Sequence, residues 1–406
     1  MNLLFLTPAP PFPPDQGTSI RNWGIISSLA KQHRISLLTF ANRSDRIAPE
    51  LNDCCATVIS VSNPRARTPA HRLATALCSP RADLADRLTS PEFTYQLKSL
   101  LQSESFDAVH VEGLELAPHL QQIANKRWHT PTPLIIYDAH NAETVIQYRA
   151  FQTDRLQVSR WPAALYSRLQ LPRLARLERQ ISAQADVVLC VSEEDCSALR
   201  RLLPGLQPVL VPNGISLNEY PETVKPAGLP SPALVFSGKL DYRPNVDAVL
   251  WFAQEILPLV RKIHPEATFV VVGKKAVPVV GRLAEDPAIT LTGQVPDVRP
   301  LIAAATVFVA PLRMGGGTRF KILEAMALRR PIVSTTIGAE GFPIADGREL
   351  LLADTPSEQA RAVCSLLEDA PTRTRLGAAG RSFVEANYQW SAIMPRLEEV
   401  YRSIGG

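Results

Sequence analysis

Short apolar runs alternate with helix-period patterns along the whole chain. Leu3–Thr7, Ile35–Phe40, Thr57–Val61, Ala108–Val111, Leu134–Asp138, Val187–Val191 and Val209–Val211 read as strands. Past Pro212 the runs resume at Ala233–Gly238, Thr268–Gly273, Ile289–Gly293, Val307–Ala310 and Pro331–Thr335. Between them, Ile20–Lys31, Pro91–Gln102, Glu193–Leu203, Val246–Ile263, Val298–Ala303, Arg319–Arg329 and Glu358–Glu368 carry helical spacing. Such alternation predicts an α/β protein of parallel sheets with helices on both faces. Twelve strands exceed what one open sheet holds comfortably. Two domains are therefore expected, 1–212 and 213–385, with residues 386–406 as a terminal helix. The boundary falls at Pro212–Pro232, where five prolines make a stiff linker. Open sheets of this kind bind ligands beyond the carboxyl ends of their strands, so a cleft faced by both domains is expected.

Composition narrows the class. With 406 residues, 46% hydrophobic and 20% charged, the chain reads as a soluble globular protein. No window reaches the roughly 18 to 20 apolar residues of a membrane span. The opening MNLLFLT has no basic residue before its short apolar run, and reads as a buried first strand rather than a signal peptide. A cytoplasmic protein is expected. Six cysteines without a CxxC pair, and seven histidines without HExxH, predict reduced thiols and no protein-held metal. A net charge of +4 gives no case for nucleic acid. Its distribution is more informative. Between Arg149 and Arg179, seven arginines face only Asp154 and Glu178, interleaved with Trp161, Tyr166, Leu169, Leu171, Leu174 and Leu177. That segment is either a solvated edge helix or a basic amphipathic helix at the inner face of a membrane.

The richest chemistry lies at 310–327, APLRMGGGTRFKILEAMA. Gly315, Gly316 and Gly317 allow a sharp turn and close backbone approach to a ligand. The helix starting near Thr318 and Arg319 then presents unpaired N–H groups, which read either as a ready anion site or as the plain start of a surface helix after a glycine loop. Arg319 and Lys321 add positive charge, and the Glu324 carboxylate can accept hydrogen bonds from sugar hydroxyls. Other loops at strand ends supply Gly17, the Pro212-Asn213-Gly214 turn, Gly238 with Lys239 and Arg243, Gly273 with Lys274 and Lys275, and Gly293 to Val295. His140, in DAHNAE, can donate a hydrogen bond or share a proton; His110 and Glu112 are similarly placed. Ser192 reads as a helix N-cap, with Asp195 completing a capping box. G-x-G-x-x-G, GxxxxGK[ST] and GxSxG are absent, which removes the dehydrogenase, P-loop and α/β-hydrolase readings.

Together VPNG (211–214), FSGKL (236–240), VVVGKK (270–275), ITLTGQVPDV (289–298), VFVAPLRMGGGTRFKILEAMA (307–327) and GAEGF (338–342) resemble a retaining glycosyltransferase of the GT-B fold, family 4 type. DAHNAE and ADVVLCVSEED (185–195) add to the likeness. The resemblance implies two Rossmann-like domains, with the last helix crossing back to the first. It also implies a nucleoside-diphosphate sugar as co-substrate, no cofactor or metal, and a glycan or lipid-linked acceptor. Glu324 resembles the second glutamate of the family's E-x7-E motif, which holds the donor ribose. The first would fall at 316, where this chain has Gly316. Lys239 matches one of the family's diphosphate cations; Arg243, Arg319 or Lys321 supplies the other. His140 resembles the histidine near donor sugar and acceptor, and Gly17 the glycine beside the β-phosphate. A nucleotide-sugar epimerase, or a non-catalytic subunit that binds sugar nucleotides, remains open.

Overall fold

The apolar runs become strands because both of their faces find cover. A computed structural model describes all residues but 15–16, 43–46, 66, 69–73, 76–77, 124–131, 157, 222, 316–317 and 406, and the side chains of 159 and 404–405 besides. The chain divides into two units, Met1–Gly214 with Ile393–Gly406, and Ile215–Ala392. Asn213 and Gly214 thus belong to the first unit.

In the first unit β1 (Asn2–Thr7), β2 (Arg34–Ala41), β3 (Thr57–Ser62), β4 (Ala108–Glu112), β5 (Leu134–Ala139), β6 (Val187–Cys190) and β7 (Val209–Leu210) form one sheet. Its order is β3-β2-β1-β4-β5-β6-β7, parallel throughout. Leu3, Leu4, Phe5 and Leu6 are all fully buried, so consecutive residues of β1 are covered on opposite faces. The second unit contains β8 (Ala233–Ser237), β9 (Thr268–Val272), β10 (Ile289–Leu291), β11 (Val307–Ala310), β12 (Ile332–Ser334) and β13 (Leu351–Leu352), in the order β10-β9-β8-β11-β12-β13. Leu234, Phe236, Phe269 and Val271 enter one core cluster, whereas Val235, Val270, Val272 and Phe308 enter another. The alternation proves a sheet covered on both faces.

Both sheets reverse direction of growth beside their first strand, at β1/β4 and at β8/β11. Such switch points leave a crevice at the carboxyl ends.

The structure departs from the sequence expectations in four places. β13 is too short, at two residues, to show a pattern. The helix expected over Val246–Ile263 runs Arg243–Trp251, widens to a π-turn at Phe252–Ile256, and resumes at Leu257–Arg261. Pro258 has no N–H to give an i−4 carbonyl, and a widened turn absorbs that loss. Cys190 and Cys196 are joined in a disulfide, with Cα atoms 5.6 Å apart, which corrects the expectation of six thiols. The end of β6 and the first turn of the Glu193–Leu202 helix bring them together, a proximity that CxxC spacing does not test. Ser192 does cap that helix, accepting from the Asp195 amide, but the Asp195 carboxylate turns to the Ala142 amide and the Ser192 hydroxyl.

Candidate active site

In the second unit, the segments after β8 and β11 converge at the switch point. Gly238 follows β8 with φ +155°, and a Cβ there would meet Asn245 and Lys321 atoms at 2.7 and 2.8 Å. Only glycine leaves room for this approach. Lys321 Nζ donates to Asn245 Oδ1 at 2.7 Å and stands 3.9 Å above the Phe236 ring centre, while Asn245 Nδ2 donates to the Lys239 carbonyl at 2.9 Å. Burial, with Arg319 nearby, lowers the Lys321 pKa to about 7 against the pull of Glu324. Two cations are thus crowded together where an anion would relieve them. Gly315 has φ +118°, and the Arg319 guanidinium would lie 3.2 Å from a Cβ there. The helix spans Phe320–Ala327 with Arg319 at its N-cap position and no side-chain cap. Among the described residues, the Thr318 hydroxyl is buried without a hydrogen-bond partner. Gly316 and Gly317 lie outside the described residues.

Glu324 sits one helical turn beyond Lys321. Its Oε1 accepts from Tyr220 Oη at 2.9 Å. Burial raises its pKa although Tyr220 and Lys321 oppose that shift, and burial followed by Glu324 raises the Tyr220 phenol. One carboxylate edge is therefore fixed by Tyr220. Gly273 follows β9 and lies so close to Gly238 that a Cβ would fall on the Gly238 carbonyl oxygen, which gives this glycine a packing reason of its own. Arg243 opens the Arg243–Trp251 helix on the same side. Gly293, at φ +69°, is exposed, and Val295 packs against the core at the β10 edge.

In the first unit a buried polar network occupies the β1/β4/β5 ends. Arg21 and Asp138, 1% and 0% exposed, form a two-point pair: Nε donates to Oδ2 and Nη2 to Oδ1, each at 2.9 Å. Arg21 also donates to the carbonyls of Val211 and Pro212 and to Asn213 Oδ1. The PNG turn is thus anchored from the opposite side of the switch point. His140 Nε2 donates to Glu112 Oε2 at 2.5 Å. Burial would lower the His140 pKa, but Glu112 and Asp138 outweigh it and the net shift is upward. His110 Nδ1 meets Tyr401 Oη at 2.7 Å, and its Nε2 lies 3.3 Å from Glu112 Oε1 and 3.5 Å from Asp138 Oδ2. His110, Glu112 and Asp138 bring ligand-type atoms within 4.8 Å of one another, a grouping that spacing did not reveal. Both Asp138 oxygens already receive Arg21, so these groups form a charge-compensated network. Gly17 is the exposed first residue of the Gly17–Leu29 helix after β1.

The structure therefore places the expected residues in two sets. Gly238, Lys239, Arg243, Gly273, Gly315, Thr318, Arg319, Lys321 and Glu324 gather at the second unit's switch point. Gly17, His140, Asn213 and Gly214 belong to the first unit. Tyr220 and Arg21 were missed, because a tyrosine in a proline-rich linker and one arginine in a helix carry no spacing that announces a partner.

The chain belongs to the glycosyltransferases of the GT-B fold, family 4 type. Residues 231–369 match the family described as glycosyl transferases group 1, and 16–214 match a glycosyl transferase 4-like domain. Among curated relatives, a phosphatidyl-myo-inositol mannosyltransferase of Propionibacterium freudenreichii is 25% identical over 274 residues, covering 65% of this chain and 68% of its own. The chain spans about two thirds of the length of such relatives. A sucrose-phosphate synthase from Thermosynechococcus elongatus matches in fold with a TM-score of 0.76 at 18% identity, covering 100% of this chain and 99% of the other. HepE from Anabaena, solved with UDP and glucose, gives 0.66 at 14% identity, over 99% and 100%.

Proposed function

We propose that this protein transfers a sugar from a nucleoside-diphosphate sugar to a hydroxyl of a glycan or lipid-linked glycan, retaining the anomeric configuration. The observation that carries this reading is the Tyr220–Glu324 pair beside Lys321, Asn245 and Gly238. Glu324 takes the two ribose hydroxyls on its free edge. The diphosphate lies against the backbone of Gly238, Gly315, Thr318 and Arg319, with Lys239, Arg243, Arg319 and Lys321 as its cations. As the glycosidic bond breaks, charge gathers on the departing phosphate, and fixed cations beside a helix N-terminus stabilise it without a metal. The acceptor hydroxyl attacks on the leaving-group face, so no protein nucleophile is required. His140, made more basic by Glu112, donates a hydrogen bond to the transferred sugar.

The acceptor is anchored at a membrane surface in this reading. Trp161 and Leu165 are 58% and 59% exposed on the first turns of the Trp161–Gln184 helix, and Leu156 and Val158 just before it are 79% and 72% exposed. Arg155, Arg160 and Arg168 are exposed among them. Apolar side chains ringed by arginine suit an anionic bilayer.

A screen of UDP-, GDP- and ADP-sugars for nucleoside diphosphate release tests the proposal. Glu324→Ala should cost about 2 to 3 kcal/mol in kcat/KM, as loss of a charged hydrogen-bond partner. Unchanged turnover in that variant would remove Glu324 from the site. Analysis of the sugar product separates transfer from epimerisation, and absence of any release leaves a binding role only.

A further inference from the structure

The first unit contains a small cavity whose wall the donor chemistry uses only at His140. It measures about 70 Å³ and is lined by Thr18, Glu115, Tyr137, His140, Asn141 and Glu143. It lies at the β1/β4 switch point, since Thr18 follows β1, Glu115 follows β4, and His140 to Glu143 follow β5.

Three features show what it is built to hold. The Tyr137 side chain is fully buried, and among the described residues its hydroxyl has no hydrogen-bond partner. A buried hydroxyl left unpaired is costly, so a ligand group or water must complete it. Next, Glu115 and Glu143 line the wall, and Glu178 stands behind them, accepting from the Glu143 amide at 2.8 Å and from the Thr144 hydroxyl at 2.6 Å. Burial, then Glu115 and Glu178, raise the Glu143 pKa to about 7, although Asn141 and Arg87 oppose the shift. Finally, no lysine or arginine is among the lining residues. The one basic group is His140, whose Nε2 is held by Glu112. Its Nδ1 and Glu115 Oε2 lie 3.7 and 2.8 Å from where a Cβ on Gly113 would be.

A wall of carboxylates with a phenol and an imidazole N–H offers acceptors and donors side by side. Neighbouring hydroxyls on a sugar ring present the matching set, each both donating and accepting. A phosphate would face Glu115 and Glu143, backed by Glu178, with His140 as the one basic side chain in the wall and Arg87 acting only from behind it, and like charges in a small cavity repel strongly. The volume admits one hydroxyl-bearing edge of a ring rather than a whole oligosaccharide.

We propose that this cavity is the recognition subsite for an uncharged saccharide at the acceptor's reactive end, through the Tyr137 hydroxyl and the Glu115 and Glu143 carboxylates, and that it rejects a phosphorylated sugar. The proposal rests on the transferase reading for calling this ligand the acceptor. Any phosphate in the acceptor is then displaced from the sugar that receives the transfer.

The test uses the full chain and saturation-transfer NMR with methyl α-mannoside, methyl α-glucoside and methyl α-galactoside, each against its 6-phosphate. At least one neutral glycoside should bind, and its phosphate at least tenfold more weakly. Tyr137→Phe and Glu143→Gln should each weaken the neutral glycoside fivefold or more, while leaving UDP or GDP affinity and melting temperature within error of the parent. Phosphates binding as well as the neutral sugars, no glycoside binding at all, or both variants binding like the parent would overturn the proposal. Nucleotide binding and diphosphate release are scored separately. Their loss in the parent protein defeats the transferase reading, and a failure confined to the glycosides defeats only the subsite.

Discussion

Single side chains in the second unit show how the fold sets its chemistry. Lys321 is held near neutrality because burial and Arg319 disfavour its charge, giving a pKa of about 7. A diphosphate beside it reverses that balance, and the ammonium is restored on binding. The sign follows from linkage: the charged form binds, so nucleotide affinity is full below about pH 7 and falls as pH rises through that value. Calorimetry with UDP or GDP should show Kd weakening by up to roughly tenfold per pH unit above neutrality, with proton uptake. Lys321→Met should bind more weakly at and below neutrality, lose the slope and converge with the parent at high pH; a flat profile in the parent would remove Lys321 from the diphosphate site. The succession of β11 and the Phe320–Ala327 helix around the glycines was legible in the sequence, because an apolar run and helical spacing flank them. Tyr220 was not, since its bond to Glu324 spans 104 residues.

At the scale of elements, the chain at and beyond the carboxyl ends of β1, β5 and β7 is tied together by one arginine. Arg21 stands in the helix after β1 and bonds Asp138 at the end of β5 and the carbonyls after β7. The Asp138 carboxyl is kept well below its ordinary pKa because Arg21, with the two histidines, outweighs the upward push of burial. Removing one partner of a buried pair strands the other charge, at a cost of about 3 to 5 kcal/mol. Arg21→Leu should lose stability on that scale in urea unfolding, and a loss below about 1 kcal/mol would show the pair to be replaceable. The Trp161–Gln184 helix divides by exposure, its first turns showing Trp161 and Leu165 while Leu174, Leu177 and Ile181 enter the core. Vesicles rich in anionic lipid should co-sediment the protein and blue-shift tryptophan emission. Trp161→Ser with Leu165→Ser should abolish both, and a parent protein that stays in the supernatant removes the membrane contact. Arginine enrichment at 149–179 was visible in the sequence, but which turns face outward was not, because leucine and arginine alternate along the entire segment.

Taken as a whole, the molecule consists of two parallel sheets, each with a site at its own switch point. Because a nucleotide binds only folded protein, UDP or GDP at about 100 times its Kd should add about 2.7 kcal/mol of stability, read as a rise in melting temperature. No shift with any of the common nucleoside diphosphates would contradict a donor site in the second unit. The sequence by itself determined the two-domain α/β class and the strands that build both sheets, because burial on both faces writes itself as continuous apolar runs. It also determined Gly315, whose positive φ suits a residue without a Cβ. Only the tertiary structure decided which groups meet. Arg21 and Asp138 are 117 residues apart, and Cys190 and Cys196 pair through a strand end and a helix start. Tyr137 lies in a run that reads as core, yet its hydroxyl borders a polar cavity. Periodicity is a local property of the chain, whereas the partner of a charge or a hydroxyl depends on strand order, which brings distant segments to a common edge.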